Sequence, residues 1–196
     1  VHDLKTILLI CSKGGVASGE DLLKVADTLR AARKLRKIIF DQLIRPRLSE
    51  LLKDIATLPD LQKLLEFGLD EGGRIADRAS TKLSELRLHR EAERIQRKDI
   101  LQDILRKYSG LLQDDIVSER YGRPVLSFKA GTADQIKGMV HDSSASGNTI
   151  YVEPQVVISI GNRLAKIDSE ISDEERRLLA NWSKEVGFNA DIIAHL

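Results

Sequence analysis

A regular alternation of apolar residues in the last part of the chain constrains the fold more than any other feature. After Pro154, apolar side chains recur at alternating spacings of three and four residues. The seam consists of Val157, Ile160, Leu164, Ile167 and Ile171. Such spacing is typical of a coiled-coil helix, which buries a narrow stripe against a partner helix. With Leu178 and Trp182 extending this face, we predict one long helix from Pro154 to about Val186, with a bend at Gly187.

A second long helix is predicted over residues 80–108. Ser80 can cap its first turn, and Gly110 closes it. An imperfect apolar stripe runs along it, formed by Leu83, Leu86, Ile95, Leu101, Ile104, Leu105 and Tyr108. At about 1.5 Å per residue, this helix would be roughly 40 Å long.

Between these two helices the apolar period changes from helical to two. Residues 115–130 predict a hairpin around Tyr121–Gly122, and residues 137–142 and 149–153 predict two further strands. The ends of such an insert must meet where the helices meet, so we expect antiparallel helices with the strands at their tip. The fold class is therefore mainly α with a small β insert: a helical core plus an antiparallel two-helix lever carrying a β clamp at its tip.

The predicted boundaries follow from these periods. They are 1–79 for the helical core, 80–113 for the first lever helix, 114–153 for the β clamp insert, and 154–196 for the second lever helix and its return towards the core. Within the core, Gly14–Gly15 ends a first helix and Ser18 caps a second one. The second helix carries a stripe of Leu22, Val25, Ala26, Leu29, Ala32 and Leu35. Pro46 and Pro59 divide residues 40–69 into short helical pieces.

Composition excludes several classes of protein. Aromatic residues make up only 4% and charged residues 31%, which is typical of long helices. A net charge of +1 means that any contact with a polyanion must come from local patches. The single cysteine, Cys11, excludes an intrachain disulfide, and no apolar run is long enough to span a bilayer. We expect a cytoplasmic piece of a longer protein, without membrane contact.

The stretch from Gly138 to Pro154 is the most unusual in the chain and allows three interpretations. His141, Asp142 and Ser144 are residue types of a nucleophilic triad, but consecutive residues of a strand point to opposite faces. Hydroxyls and small residues could instead bind a phosphate through backbone N–H groups, although no P-loop pattern occurs in the chain. We favour a structural role, in which Asp142 and the serines bond to the loop backbone.

Cationic residues suggest a second kind of site. In the insert, Arg120, Arg123, Lys129 and Lys137 could face a polyanion, offset by Glu119, Asp134, Asp142 and Glu153. The first long helix carries Lys82, Arg87, Arg90, Arg94, Arg97, Lys98, Arg106 and Lys107 against five acids. We predict that these residues form a solvent-exposed helix face and favour this over a row of cations that binds phosphates. His2, His89 and His195 are isolated, so no metal site is predicted.

The block from Val140 to Pro154, which contains His-Asp-Ser-Ser-Ala-Ser-Gly-Asn-Thr-Ile-Tyr-Val-Glu-Pro, resembles a signature of the second bacterial branch of the MutS family. That branch is the paralogue linked to suppression of recombination. Three other stretches agree with it: Asp27–Arg33, Ile75–Ser80 and Ile116–Val125. The resemblance covers nearly the whole chain in order.

The resemblance implies a MutS-like core, lever and clamp. In the family these parts precede a P-loop ATPase, which uses ATP and Mg²⁺, and an Smr nuclease domain. For this chain we therefore expect no catalytic residue and no cofactor of its own. Full-length members are homodimers held largely by their ATPase domains, so this segment alone is expected to be monomeric. Its implied partners are duplex or branched DNA, its own ATPase domain, and ribosomes or ribosomal RNA.

Three functions remain open at this point. The leading hypothesis is a segment that grips duplex or branched DNA and couples it to the ATPase. The others are a ribosome contact in the rescue of stalled ribosomes, and a structural coiled-coil spacer. The predicted contact residues are Arg120, Arg123, Lys129, Lys137, Ser143, Ser144, Ser146 and Asn148. The residues predicted to hold the structural signature are His141, Asp142, Gly147, Thr149, Glu153 and Pro154.

Overall fold

A computed structural model describes residues 2–40 and 57–196. The chain forms two compact units. The helical unit comprises Val1–Ser84 with Ser172–Leu196, and the sheet unit comprises Glu85–Ile171. The described residues are mostly helical and include one small four-stranded antiparallel sheet. The prediction of a mainly α fold with a small β insert is therefore confirmed.

The described residues form the following helices in chain order. They are α1 (Lys5–Ser12), α2 (Gly19–Phe40), α3 (Pro59–Gly68), α4 (Thr81–Tyr108), α5 (Gln155–Phe188) and α6 (Ala190–Ala194). Their starts follow the predicted capping chemistry. The N–H of Asp21 donates to Ser18 Oγ over 3.1 Å, and the N–H of Leu83 donates to Ser80 Oγ over 3.3 Å. Pro59 occupies the first turn of α3, and the division predicted at Pro46 lies outside the described residues.

The helical unit buries one face of each helix that contributes to it. Leu22, Val25, Leu65, Leu83 and Val186 are fully buried, and Cys11 is also buried. The apolar stripe on α2 is shorter than predicted. Its buried part ends at Leu29, and Leu35 is exposed.

Helix α5 does not end at Gly187 but continues through it to Phe188. A Cβ on Gly187 would collide with the carbonyl oxygen of Cys11. The glycine therefore allows the backbone at Cys11, near the end of α1, to lie directly against α5.

The sheet has the strand order β1 (Leu112–Arg120), β2 (Arg123–Lys129), β4 (Thr149–Pro154) and β3 (Gly138–Ser143), and every neighbouring pair is antiparallel. Tyr121 and Gly122 form the β1–β2 turn with φ values of 52° and 75°. Two positive φ values match the right-handed twist of the flanking strands. The predicted hairpin is thus present, and the other two strands lie within a residue of their predicted bounds.

The core of the sheet unit lies between one face of the sheet and the ends of the two long helices. Leu126, Phe128 and Val152 pack against Leu101 of α4 and Val157 of α5. The alternation predicted for β2 does not separate a buried face from an exposed one. Val125 and Ser127 are also buried, so side chains on both faces of the inner strand β2 are shielded from solvent.

Within the sheet unit, α4 and α5 are antiparallel. Arg163 donates two hydrogen bonds of 2.8 Å to Glu93, through Nε and Nη2, and Arg90 lies 3.4 Å from Asp168. The apolar stripe predicted on α4 was wrong at Ile95, which is 53% exposed. Glu93 is buried instead, and residues two apart on a helix cannot share one face.

The predicted seam of α5 is confirmed, since all five of its apolar residues are buried. The helix begins at Gln155, one residue later than predicted, because Pro154 ends β4. The N–H of Gln155 donates to the carbonyl of Lys137 over 2.9 Å. No helix within residues 2–40 and 57–196 is both long and apolar enough to cross a membrane.

Candidate nucleic-acid interface

Arg120 is held in place by an aromatic ring and a carboxylate. Its guanidinium lies 3.9 Å from the centroid of the Tyr151 ring, and its Nε lies 3.4 Å from Asp142 Oδ2. Arg120 sits opposite Arg123 in the β1–β2 register, beside the turn. The planar guanidinium can stack and pair at once, which an ammonium group cannot do. These two contacts therefore fix the position of the Arg120 guanidinium, but the negative charge of Asp142 lies beside it.

Arg123 belongs to a buried charge cluster. Glu153 is 1% exposed, and its Oε2 lies 2.8 Å from Nε2 of His141. Nη1 of Arg123 lies 3.7 Å from Oε1 of Glu153, which has no hydrogen bond in the described part of the chain. A buried carboxylate is costly unless opposite charge lies close to it. Arg123 therefore compensates Glu153, and His141 fixes the second oxygen.

The two lysines occupy different ends of the sheet. Lys129 Nζ donates to the carbonyl of Gly110 over 3.1 Å, and Lys129 lies opposite Thr149. At about 3.4 Å per residue, Lys129 is roughly 20 Å along β2 from Arg123. Lys137 is exposed, and its side chain has no ion pair with any residue that the structure describes. The structure therefore brings Arg120 and Arg123 together but leaves Lys129 apart from them.

The loop from Ser143 to Asn148 is closed by its own hydrogen bonds. The N–H of Ser143 donates to Asp142 Oδ1 over 2.8 Å, and the N–H of Thr149 donates to Ser144 Oγ over 3.0 Å. The N–H of Ser144 donates to the carbonyl of Thr149, and the N–H of Gly147 donates to the carbonyl of Ser144. Gly147 has a φ of 73°, which suits glycine. These hydrogen bonds join side chains at the loop ends to the loop backbone.

Few backbone donors remain for an anion in this loop. The N–H groups of Ala145, Ser146 and Asn148 have no acceptor among the described residues. The Ser144 and Ser146 hydroxyls lie 3.4 Å apart. The loop can therefore offer three N–H groups and one or two hydroxyls to a phosphate, fewer than its sequence suggests.

A bulge in β3 explains why simple alternation fails to predict these contacts. Val140 lies opposite Val152 and Asp142 lies opposite Tyr151, so His141 is an extra residue. The bulge allows His141 to contact Glu153 while its neighbour Asp142 contacts Arg120. His141, Asp142 and Ser144 consequently engage three different partners instead of forming a triad. No periodicity in the sequence marks the bulge, and Tyr151 was not recognised as the partner of Arg120.

No family model matches the chain. Endonuclease MutS2 of Synechocystis sp. is 39% identical over 95% of the chain, and endonuclease MutS2 of Pelotomaculum thermopropionicum is 36% identical over 96%. That of Symbiobacterium thermophilum is 34% identical over 98%. The resemblance to the MutS2 branch of the MutS family is confirmed.

The chain spans about a quarter of the length of these MutS2 relatives, between 23% and 24% in the three named here. The match includes both units and both long helices, because it covers 95% or more of the chain. The sheet and the charge cluster at Glu153 therefore lie inside the region that is similar to MutS2.

Proposed function

We propose that this segment binds DNA through its sheet unit and couples binding to the remainder of a longer MutS2-like protein. In this proposal α4 and α5 are the lever, and the sheet is the clamp. One observation carries it: the sheet is inserted between two antiparallel helices that Arg163 and Glu93 join by two hydrogen bonds of 2.8 Å. The relatives are named as endonucleases, and an enzyme that cuts nucleic acid must first hold it.

The packing of the two helices supports a mechanical role. Buried seam residues of α5 and the Arg163–Glu93 pair both resist sliding of one helix along the other. A paired guanidinium and carboxylate also fix the register, because a shift would leave Glu93 buried without its partner. A force applied to the sheet can therefore pass along both helices together.

The clamp contacts in this proposal are few. Arg120 is stacked and positioned, Lys129 and Lys137 are exposed, and the loop 143–148 offers a small set of donors. Acidic neighbours such as Asp142 offset part of the positive charge. We expect affinity near the non-specific range of roughly 10⁻⁴–10⁻⁶ M for one segment, and recognition of backbone and shape instead of sequence. Two clamps held in one dimer would raise the effective concentration of the second contact.

Catalysis is assigned to other parts of the longer protein in this proposal. ATP and Mg²⁺ would bind an ATPase domain, and cleavage would belong to a nuclease domain, both outside this segment. The role of the whole protein in suppressing recombination follows the same reasoning: gripping branched DNA would let the protein act on recombination intermediates.

The test is a titration of fluorescent duplex and four-way DNA with three proteins at 50 and 200 mM salt. The clamp variant is Arg120→Gln/Lys129→Gln/Lys137→Gln, which keeps Arg123 because Glu153 depends on it. The α5 control variant is Lys166→Gln/Arg176→Gln/Lys184→Gln, which removes the same charge from exposed positions on α5. We expect the clamp variant to bind at least about threefold more weakly than the α5 control variant, with a shallower salt dependence.

Equal binding by these two variants would remove the three clamp residues from the contact list. If the wild-type segment binds ribosomes but not DNA, its target is the ribosome and not DNA. Binding to neither would leave the segment as a structural spacer and would refute the proposed function. Circular dichroism and the fluorescence of Trp182, the only tryptophan, check that each variant is folded.

A further inference from the structure

A trough runs between α4 and β1 in the sheet unit, and none of the contacts proposed above uses it. Two adjoining cavities of about 430 and 540 Å³ form it. They share Gln102 and Leu105 of α4 and Asp115 of β1 as lining residues. Because β1 is an edge strand, this side of the sheet has no neighbouring strand. The trough is therefore open to an extended ligand.

Apart from Arg87, which also interacts with another residue, the cations of α4 fall into two groups. One group is already engaged: Lys82 with Glu174, Arg90 with Asp168, Arg106 with Asp103, and Lys107 over the ring of Tyr108. The other group is Arg94, Arg97 and Lys98, and all three line the trough. None of these three forms an ion pair or a side-chain hydrogen bond with the part of the chain that the structure describes.

Helix geometry places these three cations on one face. Residues three and four apart are neighbours on a helix, so Arg94 adjoins Arg97 and Lys98. Gln102 continues the same face one turn further along. From Arg94 to Arg106 the helix rises roughly 18 Å, at about 1.5 Å per residue. Three adjacent cations that form no ion pair with the described residues repel one another, and a polyanion lying along the trough would relieve that repulsion.

The strand side of the trough is mostly apolar. Ile116 is 63% exposed and Val117 is 40% exposed, and Pro124 adds to the same wall. Asp115 is the acid that lines the trough, and Glu119 lies opposite Pro124 in the register. The three cations exceed these acids, so the trough has a positive balance beside an apolar wall. A sugar–phosphate strand has matching chemistry, with anionic phosphates and less polar sugar faces.

We propose that this trough is a second backbone-binding site of the sheet unit, holding one sugar–phosphate strand of DNA. Arg94, Arg97 and Lys98 contact successive phosphates, and the wall of β1 packs against the sugars. Arginine at two of the three positions suits phosphate, because its fork of donors matches the phosphate oxygens. This inference rests on the proposed DNA-binding function and extends the contact surface from the sheet to α4.

The trough variant Arg94→Gln/Arg97→Gln/Lys98→Gln tests the inference beside the clamp variant and the α5 control variant. All three lose the same formal charge, so general electrostatics cannot distinguish them. We expect the trough variant to bind duplex DNA at least about tenfold more weakly than the α5 control variant at 50 mM salt, and its salt slope to fall by about three. Binding by the trough variant equal to that of the α5 control variant would overturn the inference.

The outcomes separate this inference from the proposed function. If the wild type binds DNA and only the clamp variant is weakened, the proposed function stands and the trough is not a site. If the wild type binds no DNA at 50 mM salt, both fail. Displacement of bound duplex by polyglutamate at equal charge concentration would assign the trough to an acidic protein segment and overturn the choice of DNA.

A crosslinking measurement gives a readout that does not depend on affinity. A photoreactive maleimide on Gln102→Cys should crosslink to duplex DNA, because this exposed residue lines both cavities. The same label on Asn181→Cys, an exposed position on α5, is the control. Cys11 is buried and does not compete for the label in the folded protein. Equal crosslinking from both positions would contradict a site in the trough.

Discussion

The Ser80 hydroxyl donates a hydrogen bond of 2.7 Å to Glu174 Oε1. The same oxygen of Ser80 accepts the N–H of Leu83, so one side chain both caps α4 and joins it to α5 in the helical unit. Glu174 is 3% exposed and occupies a position at which the seam of α5 would place an apolar residue. Hydrogen bonds from Arg177 and then from Ser80 lower the pKa of Glu174 from 4.5 to about 2.

The Glu174→Gln substitution should reduce the acid dependence of stability. Because the pKa of Glu174 is lower in the folded protein than its ordinary value, its contribution is fully present above about pH 4.5 and is lost as the pH falls towards about 2. The pKa difference corresponds to at most about 3 kcal/mol, since Arg177 is half exposed and partly screened. Urea unfolding of wild type and Glu174→Gln between pH 2 and 7 measures it.

The difference in unfolding free energy between these two proteins should be largest near neutral pH and should shrink below pH 4.5. Glu66 and Glu93 also have lowered pKa values, but they are present in both proteins and cancel in the difference. A difference that stays constant from pH 7 to pH 2 would show that Glu174 has no lowered pKa.

The pair of Glu93 and Arg163 should couple strongly in a double-mutant cycle. Hydrogen bonds from Arg163 lower the pKa of Glu93, whose side chain is 10% exposed. We expect Arg163→Met to lower the melting temperature more than Glu93→Gln/Arg163→Met does, because the single change leaves a buried carboxylate unpaired. Asp173 and Arg176 form an exposed pair and serve as the control, with little coupling expected. Equal coupling in both pairs would contradict this account.

The Gly68→Ala substitution should destabilise the helical unit by about 1–3 kcal/mol. A Cβ at this position would collide with the ring of Trp182, which is 4% exposed. Gly110→Ala is the matched control, since a Cβ there meets nothing within 4 Å. Thermal unfolding followed by tryptophan fluorescence reports both the stability and the environment of the ring. A Gly68→Ala protein as stable as Gly110→Ala would show that the ring can move away without cost.

The thiol of Cys11 should react slowly in the folded protein. Burial raises its pKa, and the side chain is 3% exposed, so little thiolate is available to a reagent. We expect the reaction with a disulfide reagent to be slower than in urea-unfolded chain by about a hundredfold or more, as for a group that reacts only through local opening. Stopped-flow absorbance measures both rates. Similar rates would mean that α1 opens freely from α5.

The helical seam of α5 and the hairpin at Tyr121–Gly122 could be predicted because each is a local signal. Spacings of three and four identify the seam, and the turn needs two residues with positive φ, which sets its place in the sequence. Ser18 and Ser80 were found as caps for the same reason, since a cap and its N–H partner are three residues apart. Ile95 was misassigned because apolarity alone does not say which face of α4 meets α5.

The candidate site was harder to predict because its partners are distant along the chain. Arg120 and Tyr151 are brought together by the order of the strands, and Arg123 meets Glu153 across the β2–β4 pair. In the sequence these charges only balance one another on average. It could not distinguish Arg94, Arg97 and Lys98, which have no partner among the described residues, from Arg90 and Lys82, which have one.

By itself the sequence determined the class of the fold, the two long helices, the strands between them and the relationship to MutS2. These depend on periodicity, capping residues and a contiguous signature, and each of these signals comes from residues that are close together in the sequence. Only the tertiary structure decided which charges are neutralised, where β3 bulges at His141, and that Glu174 replaces an apolar residue of the seam. A buried charge is stable only when a partner lies within a few ångströms, and that distance is set by packing between elements remote in sequence.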